Sequence, residues 1–557
     1  MRGQLVAVGG VLRNGALFRL ELAWGGYWVV DWASLVALSV WAYRSGGAEA
    51  VGVVGLLRML PAAFALPVGA AVTDRFPRDR VLASVYGAEA VLLGLAGWAV
   101  AWGSSTIVVY GVVVLMGVCA APCRPAQLSL TPLLARSPDE LVAANATAMV
   151  FEGVATILGP LLAGLLLAVS GVAATLAAVA AISAASAVLV GGIGATADPT
   201  RAARHASEPI LATLGGGLQE LRRLPEVAAL IAAFCAQTLV RGMLNVYVVV
   251  LALATLSLGD GGVGVLNAAF GVGVMVGALA ATSLARRRRL SRSFAFGLSL
   301  WGLPLVAAAV WPQTGVVLGA MAVAGVGNAV LDVSGFTLIQ RLVDDRLLGR
   351  VFGVMYMGVI ATVGLGSILA PLLINALGLR PALALSGLLL PAIAVAVYRW
   401  IGVADKRTVV PSARLDLIAA FPLFAPMPPL SLEKLARSAT DLHVAAGTTL
   451  INQGEHGDTF YLLTDGTLTV TADTRLLGRL SAGDGFGEIA LLRNVPRTAT
   501  IKAQTDATLL VIHRADFLAA ILGSPESTTT ANSLIAARTE PSNALQTIAM
   551  PPTHDTD

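Results

Sequence analysis

Residues 486–500, FGEIALLRNVPRTAT, bring together three groups that could do chemistry as a set. Gly487 follows a strand-like stretch and opens a short helical turn, whose free amides can cradle an anion. Arg497 arrives nine residues after Glu488, from the next strand, and its planar guanidinium can fork onto phosphate oxygens. Glu488 can accept hydrogen bonds from sugar hydroxyls. A buried arginine and glutamate with a polar turn between them suit a cyclic phosphate carried on a ribose.

A second set of reactive groups stands in apolar sequence. Asp31, Arg58, Glu89, Glu152, Arg241 and Asp332 each fall near the middle of a long hydrophobic run. Each costs about 2.5–3.5 kcal/mol on insertion scales, so they must face a protein interior and pair or meet water. Two readings stay open. Asp31–Arg58 and Glu152–Arg241 could be structural ion pairs, or one of the acids could carry a proton whose affinity is tuned by burial and a nearby arginine. Trp24, Tyr27, Trp28 and Trp32 read as packing and interface anchors in preference to a substrate cage.

Two further segments are suited to movement. The polar turn AAVTDRFPRDRVL (70–82) places Asp74, Arg75, Arg78 and Arg80 between two apolar runs. An ion pair from Asp74 to a neighbouring bundle would close that side, although a solvated turn uses the same residues. In TILGPLLAG (156–164), Gly159 lacks a side chain and Pro160 an amide hydrogen, which permits close packing and a kink. No nucleophile–base pairing or Walker-type loop points to an enzyme. Cys119, Cys123 and Cys235 form no CxxC or Cys/His cluster, so no metal site, disulfide framework or cofactor is expected.

The elements that position these groups are of two kinds. Of 557 residues, 56% are hydrophobic and 13% charged, against roughly 25% charged in a soluble globular protein. The mean hydropathy is +0.79. A bilayer crossing needs about 20 apolar residues. Twelve spans are expected: 16–43, 50–73, 80–102, 106–130, 141–169, 171–194, 226–256, 262–285, 294–311, 314–341, 348–377 and 380–403. With the N-terminus inside, the inner loops collect Arg75, Arg78, Arg80, Arg124, Arg136, Arg201, Arg204, Arg222, Arg223, Arg286 to Arg289 and Arg292. The outer loops hold little beyond Arg44 and Arg380. Positive charge stays on the cytoplasmic side, so both termini are expected there. The net charge of +4 reports these loops, not a nucleic-acid footprint. No cleavable signal peptide is expected, because the first apolar run is too long and lacks a cleavage site. Only three of the 37 basic residues are lysines, which with abundant Ala, Gly and Val suggests a GC-rich bacterial genome and hence a bacterial inner membrane.

From about residue 412 the chain reads like a soluble protein. A helical lead-in is followed by strands expected at 442–445, 448–452, 459–463, 467–472, 475–480, 498–503 and 507–512. Turns stand at GEHGD (454–458), TDG (464–466) and GDG (483–485), and the spacing suggests a barrel or jelly roll.

The apolar part also repeats itself. TILGPLLAG (156–164) and SILAPLLIN (367–375) are offset by 211, almost the offset between the starts of spans 1 and 7. A six-plus-six duplication around a polar stretch, 195–225, with an amphipathic helix expected at 208–224, is a transporter architecture. On these residues the membrane part resembles the major facilitator superfamily. Asp74, Arg75, Arg78 and Arg80 match that family's signature between spans 2 and 3, with Ala70 and Pro77 where it has glycines. Span 4, reading YGVVVLMG at 110–117, lacks the family's embedded arginine. Gly159, Pro160 and Gly164 are similar to the signature of its antiporting exporters, and residues 121–146 to a bacterial branch with siderophore and macrolide efflux proteins. The resemblance implies a proton-coupled exporter of a small molecule. Asp31 and Glu152 are then the preferred coupling acids, because spans 1 and 5 commonly border the central cavity in that family; Glu89, Asp332, Arg58 and Arg241 are secondary.

The soluble part resembles cyclic-nucleotide-binding domains, from about 412 to 540. Phe486 to Leu491 and Pro496 to Ala499 carry the likeness, with Gly447, Gly454, Phe460, Tyr461 and Gly466. The resemblance implies that Arg497 binds the cyclic phosphate and Glu488 the ribose hydroxyl. It implies that Gly487 and Ala490, flanking Ile489, offer amides, with Thr498 and Ala499 beside the phosphate or base. The ligand is cAMP or cGMP, and residues 526–538 would form a lid helix.

The expected organisation is multi-domain. A transporter half at 1–194 is followed by a central cytoplasmic loop at 195–225 and a second half at 226–403. A linker at 404–411 leads to a cytoplasmic nucleotide-binding domain at 412–540 and a disordered tail at 541–557. The bilayer, a small-molecule substrate and a cyclic nucleotide are the expected partners, with no nucleic acid and no oligomeric state implied. The alternative function is a nucleotide-responsive receptor or scaffold whose carrier fold does not transport.

Overall fold

A computed structural model describes residues 13–194, 221, 223–284, 290–343, 345–408, 412–427, 429–473 and 475–522, together with Ser527, Thr530, Ala531 and Ser533. Contacts divide the chain into two units, Met1–Lys406 and Arg407–Asp557. Most of the helix expected at 208–224, Arg201, Arg204, Arg222, Arg286 to Arg289, most of the lid segment and the tail lie outside the described residues.

In a bilayer every backbone polar group must be bonded within its own segment, so apolar chain crosses as helix. The first unit is built of α1 (Gly15–Arg75), α2 (Arg78–Ala101), α3 (Thr106–Ala120), α4 (Cys123–Leu134) and α5 (Pro138–Gly191). Then come α6 (Pro225–Val250), α7 (Gly259–Leu284), α8 (Leu290–Val310), α9 (Thr314–Leu342), α10 (Asp345–Leu377) and α11 (Leu379–Thr408). Among the described residues, ten continuous stretches are long and apolar enough to cross a membrane. The expected twelve become ten because α1 and α5 run to 61 and 54 residues, well beyond one crossing. Each is broken where a glycine takes a left-handed backbone, Gly47 at φ 65° and Gly171 at φ 76°. Only glycine enters that region freely, so a turn this short leaves hardly a gap between two spans.

Span 4 differs from expectation in the opposite sense. It breaks at Ala121–Pro122 and resumes as α4 to Leu134. Arg124, expected in a loop, therefore stands on a helix. α11 continues through Thr408, so the first part of the expected linker is helical. The start of α5 is capped by Ser137, whose Oγ accepts from Glu140 N at 3.1 Å, while Glu140 Oε2 accepts from Arg136 N at 2.5 Å. Asn14, the cap of α1, donates to Glu140 Oε1 at 3.0 Å and ties the two helix starts together.

The duplication is visible in the packing. The order of buried and exposed positions along 21–40 recurs along 231–250 with one difference, Trp32 against Gly242. Asp31 and Arg241 therefore occupy equivalent places in the two halves. The repeated segments on α5 and α10 each lie against the other half. A side chain at Gly264 of α7 would strike the Pro160 carbonyl of α5. One at Gly52 of α1 would strike Ser367 of α10.

The second unit begins with α12 (Ser412–Ala420) and α13 (Pro429–Ser438). It continues through β1 (Thr440–Val444), β2 (Thr449–Ile451), β3 (Thr459–Asp465), β4 (Leu468–Ala472) and β5 (Arg475–Leu480). β6 (Gly485–Phe486), α14 (Glu488–Arg493), β7 (Thr500–Ala503), β8 (Ala507–His513) and α15 (Arg514–Leu522) complete it. Two four-stranded antiparallel sheets, ordered β1-β8-β3-β6 and β2-β7-β4-β5, give the expected jelly roll. The short β6 is an added strand that pattern alone does not reveal. Phe421 and Phe424 of the lead-in pack with Phe460 of β3 and Phe517 of α15, and Phe460 stacks on Phe517 at 4.9 Å. Ala531 is buried in the same cluster.

Candidate functional site

The cassette of residues 486–499 is built around one guanidinium. β6 pairs with β3, and Gly487 then turns the chain at φ 94° into α14. Glu488 is the first residue of that helix and is 1% exposed, Ala490 is buried and Ile489 half-buried. Arg497, 6% exposed, reaches back over this turn. Its Nη1 donates to Gly487 O at 3.1 Å, and its Nη2 to Thr459 O at 2.7 Å and Thr459 Oγ1 at 3.3 Å. Its backbone is pinned as well: Arg497 N donates to Glu455 O at 2.8 Å, and Gly454 N to Arg497 O at 2.9 Å. A Cβ at Gly457 would fall on the guanidinium, so only glycine leaves it room.

No carboxylate lies within salt-bridge distance of Arg497 among the described residues. Burial pulls its pKa below the usual arginine range, while the nearby charges of Tyr461, Glu488, Asp458 and Glu455 oppose that shift. Carbonyl oxygens hold the side chain in place without neutralising it. At least two of its five N–H donors remain for an incoming anion. Thr498 is exposed and Ala499 half-buried beside it.

In the membrane unit the charges sort differently from the sequence expectation. Arg58 Nη2 donates to Asp31 Oδ1 at 2.6 Å and to Ser34 Oγ at 3.3 Å, joining the two arms of α1. Glu89 accepts from Ser183 Oγ at 3.0 Å. The pairing of Glu152 with Arg241 does not form. Glu152 faces Arg124 of α4 at 3.7 Å instead, a partner that span counting had placed in a loop. Asp332 Oδ2 accepts from Asn328 Nδ2 at 2.7 Å, and Asn328 Oδ1 accepts from Gln237 and Trp301.

Arg241 has rings where a carboxylate was expected. Its Cζ lies 4.0 Å from the Phe270 ring centre and 5.4 Å from that of Trp32, contacts each worth about 0.5–2 kcal/mol. Trp24, Tyr27 and Tyr86 pack together, Trp24 on Tyr27 at 5.6 Å and Tyr27 on Tyr86 at 5.6 Å. Glu21 was missed by the sequence reading. It is fully buried, and neither of its carboxylate oxygens has a hydrogen-bond partner. Its signal was its place on one face of α1 with Trp24, Trp28 and Asp31, at helical spacing.

The turn after α1 holds Asp74, Arg75 and Arg80 exposed, with Arg78 half-buried. The buried acid there is Asp79, 5% exposed. Gly159 of α5 gives the room for α1: a Cβ would meet Trp32 Cβ and the Val29 carbonyl. Gly164 faces Gly261 of α7 in the same way. Among the described residues no cluster of three or more His, Cys, Asp or Glu could hold a metal ion.

Comparison with known proteins finds a family for each of the two units. The profile of the Major Facilitator Superfamily matches residues 25–290 and 230–452, and that of the cyclic nucleotide-binding domain matches residues 441–523. The first match overruns into β1 and β2, which the structure places in the jelly roll. A cyclic nucleotide-gated potassium channel from Mesorhizobium japonicum is 36% identical over 111 residues, 20% of this chain and 31% of the channel. A cAMP-dependent protein kinase regulatory subunit from Yarrowia lipolytica is 36% identical over 98 residues, 17% of this chain and 26% of that protein. The chain thus spans about a third of the length of the curated relatives it matches. The solved nucleoside transporter NupG superposes with a TM-score of 0.58 at 14% identity, over 70% of this chain and 99% of that structure, a likeness of fold.

Proposed function

Because this chain belongs to the Major Facilitator Superfamily and carries a cyclic nucleotide-binding domain, we propose that it is a proton-coupled exporter of a small molecule regulated by cAMP or cGMP. The regulatory half of this reading rests on one observation above the others. Arg497 is a buried guanidinium held by carbonyls, with no counter-ion among the described residues, beside the turn that opens α14. A cyclic phosphate supplies the missing negative charge. Glu488 then meets the ribose, and Thr498 stands where the base or phosphate passes. Positive loops on one side of the spans support a cytoplasmic place for this domain in a bacterial cell, where a second messenger would reach it.

For transport, Asp31 and Glu152 are the coupling acids. Each has an arginine partner that could release it when the halves rock, Arg58 and Arg124 respectively. Asp74, Arg75 and Arg80, exposed in the state described, with the half-buried Arg78, would close one side in the other state. A bound nucleotide can shift this equilibrium only by its difference in affinity for the two states.

Calorimetry on the full-length protein with cAMP and cGMP, beside Arg497→Ala, tests the regulatory part. No binding of either nucleotide to the unaltered protein sinks it. Proton flux in reconstituted vesicles, with and without nucleotide, tests the rest. Nucleotide binding without any flux favours a non-transporting receptor.

A further inference from the structure

We propose that Arg241, held by the Trp32 and Phe270 rings, is the subsite that takes the oxyanion of an organic solute. The inference deepens the transporter reading above and rests on it for the solute's passage. An arginine stays protonated in essentially any protein setting, so its charge in the bundle is permanent. Among the described residues no carboxylate lies within 4.0 Å of Arg241. Asp332 is near enough to act on its charge but spends its Oδ2 on Asn328. The two rings hold the cation over their π faces, and a π face is at best a weak acceptor for the five N–H groups that a guanidinium offers. Among the described residues those N–H groups find no hydrogen-bond acceptor, and the residue is half-buried. A carboxylate or phosphate, accepting two parallel bonds along that edge, satisfies both the charge and the donors.

The duplication sharpens the point. The equivalent place in the first half is Asp31, and Asp31 has its counter-ion, Arg58, at 2.6 Å. The same position is thus closed in one half and open in the other, with opposite sign. The segment at 156–164 builds the open one. Gly159 seats Trp32 of α1, and the Thr156 carbonyl lies where a Cβ at Gly271, next to Phe270, would fall. One stretch of α5 therefore sets the spacing of both rings around Arg241.

Lipid phosphates do not supply the anion. Arg241 stands 16 residues after Pro225 and 14 before Thr255, near the middle of the 31-residue span and roughly 21 Å or more of helix from either end. That depth in a hydrocarbon core of about 30 Å leaves headgroups out of reach, so the occupant is a solute that enters the bundle.

The test uses the purified full-length protein in detergent, in an Arg497→Ala background so that the cassette does not contribute. Its thermal midpoint is measured with benzoate, phenyl phosphate, benzylamine and benzyl alcohol at equal millimolar concentrations. The expected result is a rise with benzoate or phenyl phosphate and none with the amine or alcohol. Arg241→Gln abolishes the rise. If Arg241→Gln does not fold, Phe270→Leu should weaken the apparent affinity for the anion about tenfold, and Arg241→Lys should weaken it while retaining anion preference. No rise with either anion, an equal rise with benzylamine, or a rise that survives all three substitutions unchanged overturns the subsite. Counterflow of labelled benzoate in vesicles separates the two claims. Binding that depends on Arg241 without counterflow leaves the subsite standing and breaks the transporter reading; counterflow indifferent to Arg241 does the reverse.

Discussion

Arg497 in the jelly roll and Arg241 in the membrane bundle pose the same physical problem and answer it differently. Both are guanidinium groups with no carboxylate in bonding range among the described residues. In the water-facing domain the backbone holds the side chain: Gly487 and Thr459 carbonyls take its Nη hydrogens, and small glycines frame it. In the bundle most backbone carbonyls are taken up by the helices, and aromatic faces hold Arg241 instead. Arg58 supplies the contrast for both, because its charge is met by Asp31. A charge met by its partner is structure. A charge held in place but left unmet is the one we propose for a ligand.

The hardest blow to that contrast is to turn a met charge into an unmet one. Arg58→Met leaves Asp31 without its partner, and breaking a buried pair typically costs about 3–5 kcal/mol. The thermal midpoint in detergent should fall by several degrees, and adding Asp31→Asn should restore part of it. A single variant as stable as the parent would mean that Arg58 is not a met charge at all.

Next in size is the loss of the ligand-ready charge in the jelly roll. Two charge-assisted hydrogen bonds to the phosphate, at about 1.5–3 kcal/mol each, would go with Arg497→Ala, so nucleotide affinity should drop roughly a hundredfold or more. Stability should change far less, because no ion pair is broken. A calorimetric loss under fivefold would show that the guanidinium does not face the phosphate.

Gly487→Val probes the frame around that charge. Valine at φ 94° costs about 1–3 kcal/mol, and its Cβ would crowd the Arg497 Nη1. Roughly tenfold weaker nucleotide binding is expected, with circular dichroism of the sheets retained. Unchanged affinity would detach the turn from the site.

The smallest structural effect belongs to Glu152→Gln. Its pair with Arg124 is 3.7 Å long and partly exposed, which puts the stability change within about 1 kcal/mol. Proton-coupled flux in vesicles should nevertheless be lost, since glutamine carries no exchangeable acid proton. Retained coupling would pass the role to Asp31.

Much of this could be read from residues alone, because it is governed locally. Apolar runs of crossing length become helices wherever lipid leaves the backbone no other partner, and strands follow from alternation between glycine-bearing turns. The spacing of Glu488 and Arg497 suggested an anion site, and TILGPLLAG against SILAPLLIN announced a duplication. The twelve spans lost their separateness only where one or two glycines, at 46–47 and 171, replaced a visible loop.

The partners of the buried charges belong to the tertiary structure. Asp31 and Arg58 sit on two arms of one broken helix, and their pairing was one of the readings open from sequence. Glu152 meets Arg124 only because span 4 resumes as a helix past Pro122. Trp32 meets Arg241 across the two halves, from residues 209 positions apart, because Gly159 lets α1 close onto α5. Periodicity states which residues share a face of one helix. It is silent on which face of another helix arrives opposite, and that is settled by how side chains of distant segments interlock.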